Sequence, residues 1–385
     1  MRLAKRIETL PPYLFAEIDR KISAKRAEGV DVISFGVGDP DQPTPPHIIK
    51  ALQEAAEDPS THQYPSYYGM PEFRRAVAGW YQRRFGVTLD PDTQIQPLIG
   101  SKEGIAHLAI AFIDPGDVAL VPDPAYPVYQ IGTHLAGGTS ITMPLRPENA
   151  FQPDWDSVEV PANAKVLWLN YPGNPTAAVA TLADLERAVA FCRAHDLLLA
   201  YDNAYSEITF DGFVAPSVLQ VPGAEDIAIE FHSLSKTYNM TGWRIGWACG
   251  STTAVEALGR VKTNVDSGIF NAVQRAGIAA LEGPQDFLED MRALYQRRRD
   301  LIVKTFTEVG VDLTPPKGSV FVWFPVPEGH DSVSFASHLL EKAGVVVPPG
   351  SGYGPSGEGF VRVSLTVPDD RLEEGSKRIR TALAR

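Results

Sequence analysis

Ser233-Leu234-Ser235-Lys236-Thr237-Tyr238-Asn239-Met240-Thr241-Gly242-Trp243-Arg244-Ile245-Gly246 is the stretch from which the rest of the chain is read. An apolar run, Ile227 to Phe231, precedes it and another, Ile245 to Cys249, closes it, so it reads as a loop between two strands. One amine, several hydroxyls and one guanidinium share a short tether. That assortment suits a phosphorylated aldehyde: the amine can condense with the carbonyl while Ser233, Ser235 and Arg244 hold the phosphate. On these residues alone, a solvated loop with a surface lysine is an equal rival.

The pattern Ser-x-Ser-Lys-x-x-x-Met-x-Gly-x-Arg, from Ser233 to Arg244, resembles the lysine motif of class I and II aminotransferases, the fold-type I enzymes that use pyridoxal 5′-phosphate. The resemblance implies that Lys236 carries the cofactor and that Ser233, Ser235 and Arg244 hold its phosphate. It can be followed along the rest of the chain.

At 385 residues, two domains are expected. Hydrophobic residues make up 44% and charged residues 21%, a globular profile with enough apolar material for a large core. A net charge of −12 makes a polyanion partner such as nucleic acid a poor match. The triplet Arg297-Arg298-Arg299 lies in a helical pattern and reads as a solvated face. Cys192 and Cys249 stand far apart in apolar settings, as buried thiols would in a cytoplasmic protein. Pro11 and Pro12 interrupt the N-terminal segment, which argues against a signal peptide, and no apolar run reaches membrane-spanning length. The eight histidines show no metal-ligand spacing, so no metal is expected.

Taken in order, Ile7 to Gly29 reads as an arm followed by a short helix, and Val32 to Phe35 as a strand running into Gly36-Val37-Gly38-Asp39. Without a third glycine or a following helix, this is no dinucleotide fingerprint. The resemblance instead gives the Gly38 N–H to a substrate carboxylate. Helical periodicity spans Pro46–Glu57 and Pro71–Phe85. The tyrosine-rich loop between them begins at Tyr64, which in the family reaches the cofactor phosphate of a neighbouring subunit. From Ile95 to Gly250, short apolar runs alternate with helical stretches, the mark of an α/β domain with a mostly parallel sheet. Ligands in such sheets bind beyond the carboxyl ends of the strands.

The remaining candidates fall at those ends. Gly100-Ser101-Lys102 opens a helix, a ready anion site; by resemblance Ser101 and Lys102 complete the phosphate cup. Tyr126 is placed to stack on the pyridine ring, with simple packing under a loop as its rival. Asn170-Tyr171-Pro172-Gly173-Asn174-Pro175-Thr176 is similar to the family's asparagine motif, with Ala177 where the family has glycine. The resemblance sets Asn174 on the cofactor's phenolic oxygen and implies a cis bond before Pro175. A carboxylate at a strand end, Asp202, can pair with the ring nitrogen and keep it protonated; Tyr205 would join Asn174. Gly350-Ser351-Gly352-Tyr353-Gly354 reads as a flexible loop. In Phe360-Val361-Arg362-Val363-Ser364, Arg362 matches the family arginine that grips the substrate α-carboxylate in a bidentate pair.

The motifs occur in the family's order from Gly38 to Arg362. They imply a fold-type I transferase: a large α/β domain over residues 45–285 with a mostly parallel seven-stranded sheet, and a smaller α/β domain from both chain ends, 1–44 and 286–385. The implied activity moves an amino group from an L-amino acid to a 2-oxo acid such as 2-oxoglutarate. Lys236 then acts as general base and acid, Asp202 as the partner of the ring cation, and Tyr205 beside them. A homodimer with shared active sites is implied, with no membrane partner. A C–S β-lyase on the same fold is the nearest rival, and would release pyruvate and ammonia without a second oxo acid. A ligand-sensing regulator would need a DNA-binding module, for which about thirty residues before the first strand give no room. The run Lys262 to Asn271 is similar to that of the LL-diaminopimelate aminotransferase branch and of relatives acting on alanine, glutamate or aspartate. Tyr13, Ile269 and Asn271 are the candidates for the distal end of the substrate.

Overall fold

The computed structural model describes residues 1–10 and 14–384. Its strands are β1 Ile33–Ser34, β2 Ile95–Leu98, β3 Val118–Asp123, β4 Thr139–Pro144, β5 Ala164–Asn170, β6 Leu198–Asp202, β7 Ala228–Ser233, β8 Gly246–Gly250, β9 Phe321–Pro325, β10 Val345–Val346 and β11 Phe360–Ser364. Seven of them form one sheet in the order β2-β8-β7-β6-β5-β3-β4. The pairings from β7 through β4 are all parallel, and β8 runs antiparallel to both β7 and β2. This is the mostly parallel sheet that the alternating pattern predicts.

Helices cover both faces of the sheet, which is why its central strands are apolar on successive residues rather than on alternate ones. Side chains still divide by the period of two. On β5, Leu167 and Leu169 enter one core while Val166 and Trp168 enter the other. On β3, Leu120 joins the first and Val121 the second. Only β4, at the sheet's edge, leaves most of its residues exposed. Two helices, Pro46–Glu57 and Pro71–Phe85, have the bounds that periodicity gives. Proline at the first position starts each, and Gly86, at φ 69°, ends the second where a side chain would resist the left-handed turn.

A separate apolar cluster gathers residues from both chain ends, among them Phe35, Ile302, Phe324, Leu339 and Ile379. Around it lie the antiparallel pair β9–β11, the parallel pair β1–β10, and the helices Phe287–Glu308, Ser332–Ala343 and Asp369–Leu383. The strand read over Val32–Phe35 shrinks to two residues because β10, its partner, is equally short. The glycine-rich loop at 350–354 is not loose. Residues Gly350–Tyr353 form a 3₁₀ turn, and a Cβ on Gly350 or Gly357 would strike the backbone of the other. Two turns thus pack backbone to backbone, a fit only glycine allows.

The founding stretch is also more ordered than a loop. Leu234–Thr237 makes one helical turn, and the Ser233 hydroxyl caps it by accepting from Ser235 N at 3.1 Å. Asp123–Pro124, Tyr171–Pro172 and Asn174–Pro175 are cis. No helix among the described residues is long and apolar enough to cross a membrane.

Candidate active site

A cavity of about 460 Å³ opens beyond the carboxyl ends of the parallel strands. Asn170, Asp202 and Ser233, the last residues of β5, β6 and β7, all line it. Asn170 braces this rim. Its amide donates to the Asp202 carbonyl at 2.7 Å, and its side-chain oxygen accepts from Asn174 N at 2.7 Å. One side chain therefore fixes the spacing of two chemically important neighbours. Asn174 opens a turn that ends at Ala177, whose φ is 55°. The position keeps a left-handed backbone although it carries alanine, a strain of roughly 1 kcal/mol.

Lys236 sits on its helical turn at the cavity wall, with Nζ donating to the Gly38 carbonyl. Burial brings its pKa down to about 8; Asp39 opposes the shift, and Arg362 and Arg244 reinforce it. A lysine in this state supplies far more neutral amine near pH 7 to 8 than one at its ordinary value of 10.5. It can act as nucleophile and as base.

Asp202 lines the same cavity and is only 5% exposed. Its Oδ2 accepts from the Tyr129 hydroxyl at 2.7 Å, while Oδ1 is buried without a hydrogen bond. Burial raises the carboxyl pKa to about 6, against the lowering pull of Tyr129 and of the His232 ring. Tyr205, on the turn after β6, also lines the cavity, with its ring edge-on to Phe321 at 5.8 Å. Arg362 is 1% exposed and lies over the faces of Phe321 at 4.0 Å and Tyr353 at 5.0 Å. It donates to Asn174 Oδ1 at 2.7 Å and to the Gly36 carbonyl at 2.6 Å. The aromatic faces pack against the guanidinium at the cavity. Gly38 leaves room for this packing, since a Cβ there would collide with the Phe321 ring.

The polar end of the cavity is made by Ser101, Lys102, Ser233, Ser235, Thr241 and Arg244. Ser101 starts the helix Ser101–Phe112, whose first N–H groups and positive dipole end favour an anion. Gly100, at φ 103°, lies so close to the Arg244 guanidinium that no Cβ would fit between them. Arg244, itself left-handed at φ 56°, is steadied by a 2.7 Å bond to the Thr241 carbonyl. Burial, and then Arg244, hold the Lys102 pKa below its ordinary value. Its ammonium lies 5.9 Å from the Tyr126 ring, another wall of the cavity.

Gly38, Ser101, Lys102, Tyr126, Asn174, Asp202, Tyr205, Ser233, Ser235, Lys236, Arg244 and Arg362, all read from sequence, thus meet around one space. Tyr64, 88% exposed, and Asn271, at the start of the helix Asn271–Glu282, do not reach it within this chain. Ile269 is buried in the core on one side of the sheet, and Tyr13 lies outside the described residues. Sequence reasoning missed Asn170, Tyr129, Asp39, Phe321 and Asp19. Asn170 stands inside the asparagine motif and Tyr129 three residues after Tyr126, but nothing in the order of residues shows their contacts. One group of donors, Glu103, His107 and Asp266, lies within 4.8 Å, but the Lys262 ammonium is already 2.8 Å from Asp266 and 3.3 Å from Glu103.

Residues 30–379 match the family model described as aminotransferase class I and II. The LL-diaminopimelate aminotransferase of Desulforudis audaxviator is 57% identical over 384 residues, 99% of this chain and 98% of that one. The enzyme of that name from Dehalococcoides mccartyi is 56% identical over 377 residues, 97% of each chain. Substrate-bound BacF from Bacillus subtilis superposes with a TM-score of 0.94 at 37% identity, covering 99% of this chain and 98% of the other.

Proposed function

Because the chain belongs to the class I and II aminotransferases, pyridoxal-phosphate enzymes of fold-type I, we propose that it takes its amino group from LL-diaminopimelate and passes it to 2-oxoglutarate. The observation that carries the donor is 52–57% identity, over nearly the whole chain, to enzymes named for that substrate.

The cavity fits the cofactor. A buried carboxylate keeps one oxygen without a partner, as a protonated ring nitrogen requires, and serines, a helix start and Arg244 converge at the other end, as a phosphate requires. Asp202 would take the ring nitrogen, Asn174 and Tyr205 the phenolic oxygen, and Tyr126 the ring face. Ser101, Lys102, Ser233, Ser235 and Arg244 would hold the phosphate. Bound there, the cofactor supplies an electron sink for the pair left on the substrate Cα when its proton departs. Lys236 then has two tasks: attachment of the cofactor and movement of the Cα proton. With its pKa near 8, Nζ can accept that proton near neutral pH and give it back. Arg362, with the Gly38 N–H beside it, orients the α-carboxylate so that the Cα–H bond faces Nζ. Water is kept out on the Phe321 side by apolar packing.

A donor panel with 2-oxoglutarate, read as glutamate formed, tests the reading. LL-diaminopimelate should have the highest kcat/KM; turnover of other donors with none of it would overturn the assignment.

We also infer a homodimer. Tyr64, Tyr67 and Tyr68 stand exposed, and their loop abuts the segment carrying exposed Val265 and Phe270, with Gly268 packed on Ser66. A second copy covering this face would bring Tyr64 to its neighbour's phosphate and Asn271 near the distal end of the substrate, where Tyr13 of the arm is a further candidate. An active monomer in sedimentation would refute it. Domains at 45–285 and at 1–44 with 286–385 are a further part of the reading: the second apolar cluster draws mostly on the two chain ends, and Ala177, Ala204, Tyr205, Ile208 and Phe210 join it from the larger part; cleavage between the two by limited proteolysis would check it. The free, buried Cys192 and Cys249 suit a cytoplasmic location, open to test by fractionation.

A further inference from the structure

Tyr129 has no part in the motifs, yet its hydroxyl bonds the cavity's buried carboxylate. It lies on the second residue of the helix Val128–Ala136, which follows β3, and is 1% exposed. Its ring stacks on Trp168 of β5, with centroids 5.0 Å apart and planes 16° from parallel, so two strands and a helix fix its position. The hydroxyl reaches across to Asp202 Oδ2 at 2.7 Å. A carboxylate has two oxygens and a free χ2 rotation; a donor clamped on one oxygen stops that rotation. The other oxygen, Oδ1, is the one left buried without a hydrogen bond.

We propose that Tyr129 is a positioning residue: its hydroxyl holds Oδ2 of Asp202 and so reserves Oδ1, ionised and aimed, for the ring nitrogen of the cofactor. This rests on the assignment of Asp202 made above. The chemistry is that of a neutral donor next to a charge that must survive burial. A second carboxylate partner that carried a positive charge would hold Asp202 as an anion but would compete with the ring cation for it. A phenol stabilises the anion without that competition, because it gives a hydrogen bond and no charge. Trp168 supplies the flat apolar wall that fixes the angle of donation.

Other groups face the same carboxylate. The His232 ring of β7 is one, and it is held 2.7 Å from Glu230, whose Oε1 also accepts from Tyr81 and Asn203. Tyr201 on β6 and Tyr205 after it are neutral neighbours, their pKa values raised by burial. Lys236 and Arg362 line the same cavity. The Ala204 backbone N–H also favours the charged carboxylate, and the Tyr129 hydroxyl is the side-chain donor whose removal acts on it directly.

The test is a titration of the apoprotein. Infrared difference spectra follow the protonated carboxyl band of Asp202, assigned by its loss in Asp202→Asn. Tyr129→Phe should move the midpoint, about 6 in the wild type, upward by about one to two units. In the holoenzyme the acid limb of kcat should move in the same direction with KM little changed. Site-specific 3-fluorotyrosine at 129, a stronger donor of the same size, should move the midpoint down and serves as the variant that folds if Tyr129→Phe does not. A midpoint that stays in place in either variant would overturn the proposal, since a tyrosine that only fills space has no influence on that titration. The apoprotein result stands apart from the cofactor assignment: if Asp202→Asn left the holoenzyme spectrum unchanged, the placement of the ring would be wrong while the apoprotein shift still decided the role of Tyr129.

Discussion

At the scale of single residues, the site carries charges that the empty fold does not favour. Asp202 is the clearest case. Burial raises its pKa from 3.8 to about 6, so the folded apoprotein binds this proton more tightly than the unfolded chain does. Stability from this group therefore falls as pH rises from about 4 through about 6, and the loss is complete above it. Asp202→Asn removes the buried charge while its amide oxygen can still accept from Tyr129. At pH 7 to 8 the variant apoprotein should be more stable, on the order of 1–3 kcal/mol, and thermal unfolding will read this as a rise of a few degrees. Amino transfer should fall at least a hundredfold, as expected when a charge fixed for the transition state is lost. A less stable variant would mean that the carboxylate is held in the fold by partners beyond Tyr129.

Among the elements, those that depend on local pattern were legible and those that depend on distant contact were not. The bounds of Pro46–Glu57 and Pro71–Phe85 follow from apolar spacing and a proline start. The helical turn at Leu234–Thr237 does not, because its cap is the last residue of β7, Ser233, and its lysine docks on Gly38, rather than on its own four residues. At the site, lysine, arginine and asparagine announce themselves by chemistry within short motifs. Tyr129 and Asn170 act across 73 and 32 residues, a distance that no spacing in the chain encodes. Gly100 is another such case, an ordinary turn glycine in the sequence. Its left-handed φ and the guanidinium against its Cα make it the hinge on which β2 passes into the anion-binding helix. Gly100→Ala should destabilise the protein by about 1–3 kcal/mol. By displacing Arg244 it should also weaken cofactor affinity at least tenfold, measured by equilibrium titration of the apoprotein. Unchanged affinity would show that Arg244 can shift without loss.

Across the whole molecule, Arg298 joins what the sequence separates. Once read as a solvated face, it is 3% exposed, with a bidentate pair to Asp41 at 2.7 and 2.8 Å, a 2.6 Å bond to Asp369 and a 3.0 Å bond to the Leu365 carbonyl. The long helix, the C-terminal helix and the segment after β1 meet on this guanidinium. Arg298→Met would strand Asp41 without its counter-charge and should cost about 3 kcal/mol. Urea unfolding should show the loss as a lower midpoint at unchanged slope. KM should rise more than kcat falls, because the released segment is the one that carries Gly36 and Gly38. These two carbonyls accept from Arg362 and Lys236, the two cations that substrate and cofactor need. The resting chain therefore serves as its own first ligand. An incoming carboxylate or carbonyl has to outbid the backbone for its partner, and each success unties one of the two bonds that hold the segment after β1 against the cavity. Occupancy is in this way converted into slack in the segment after β1.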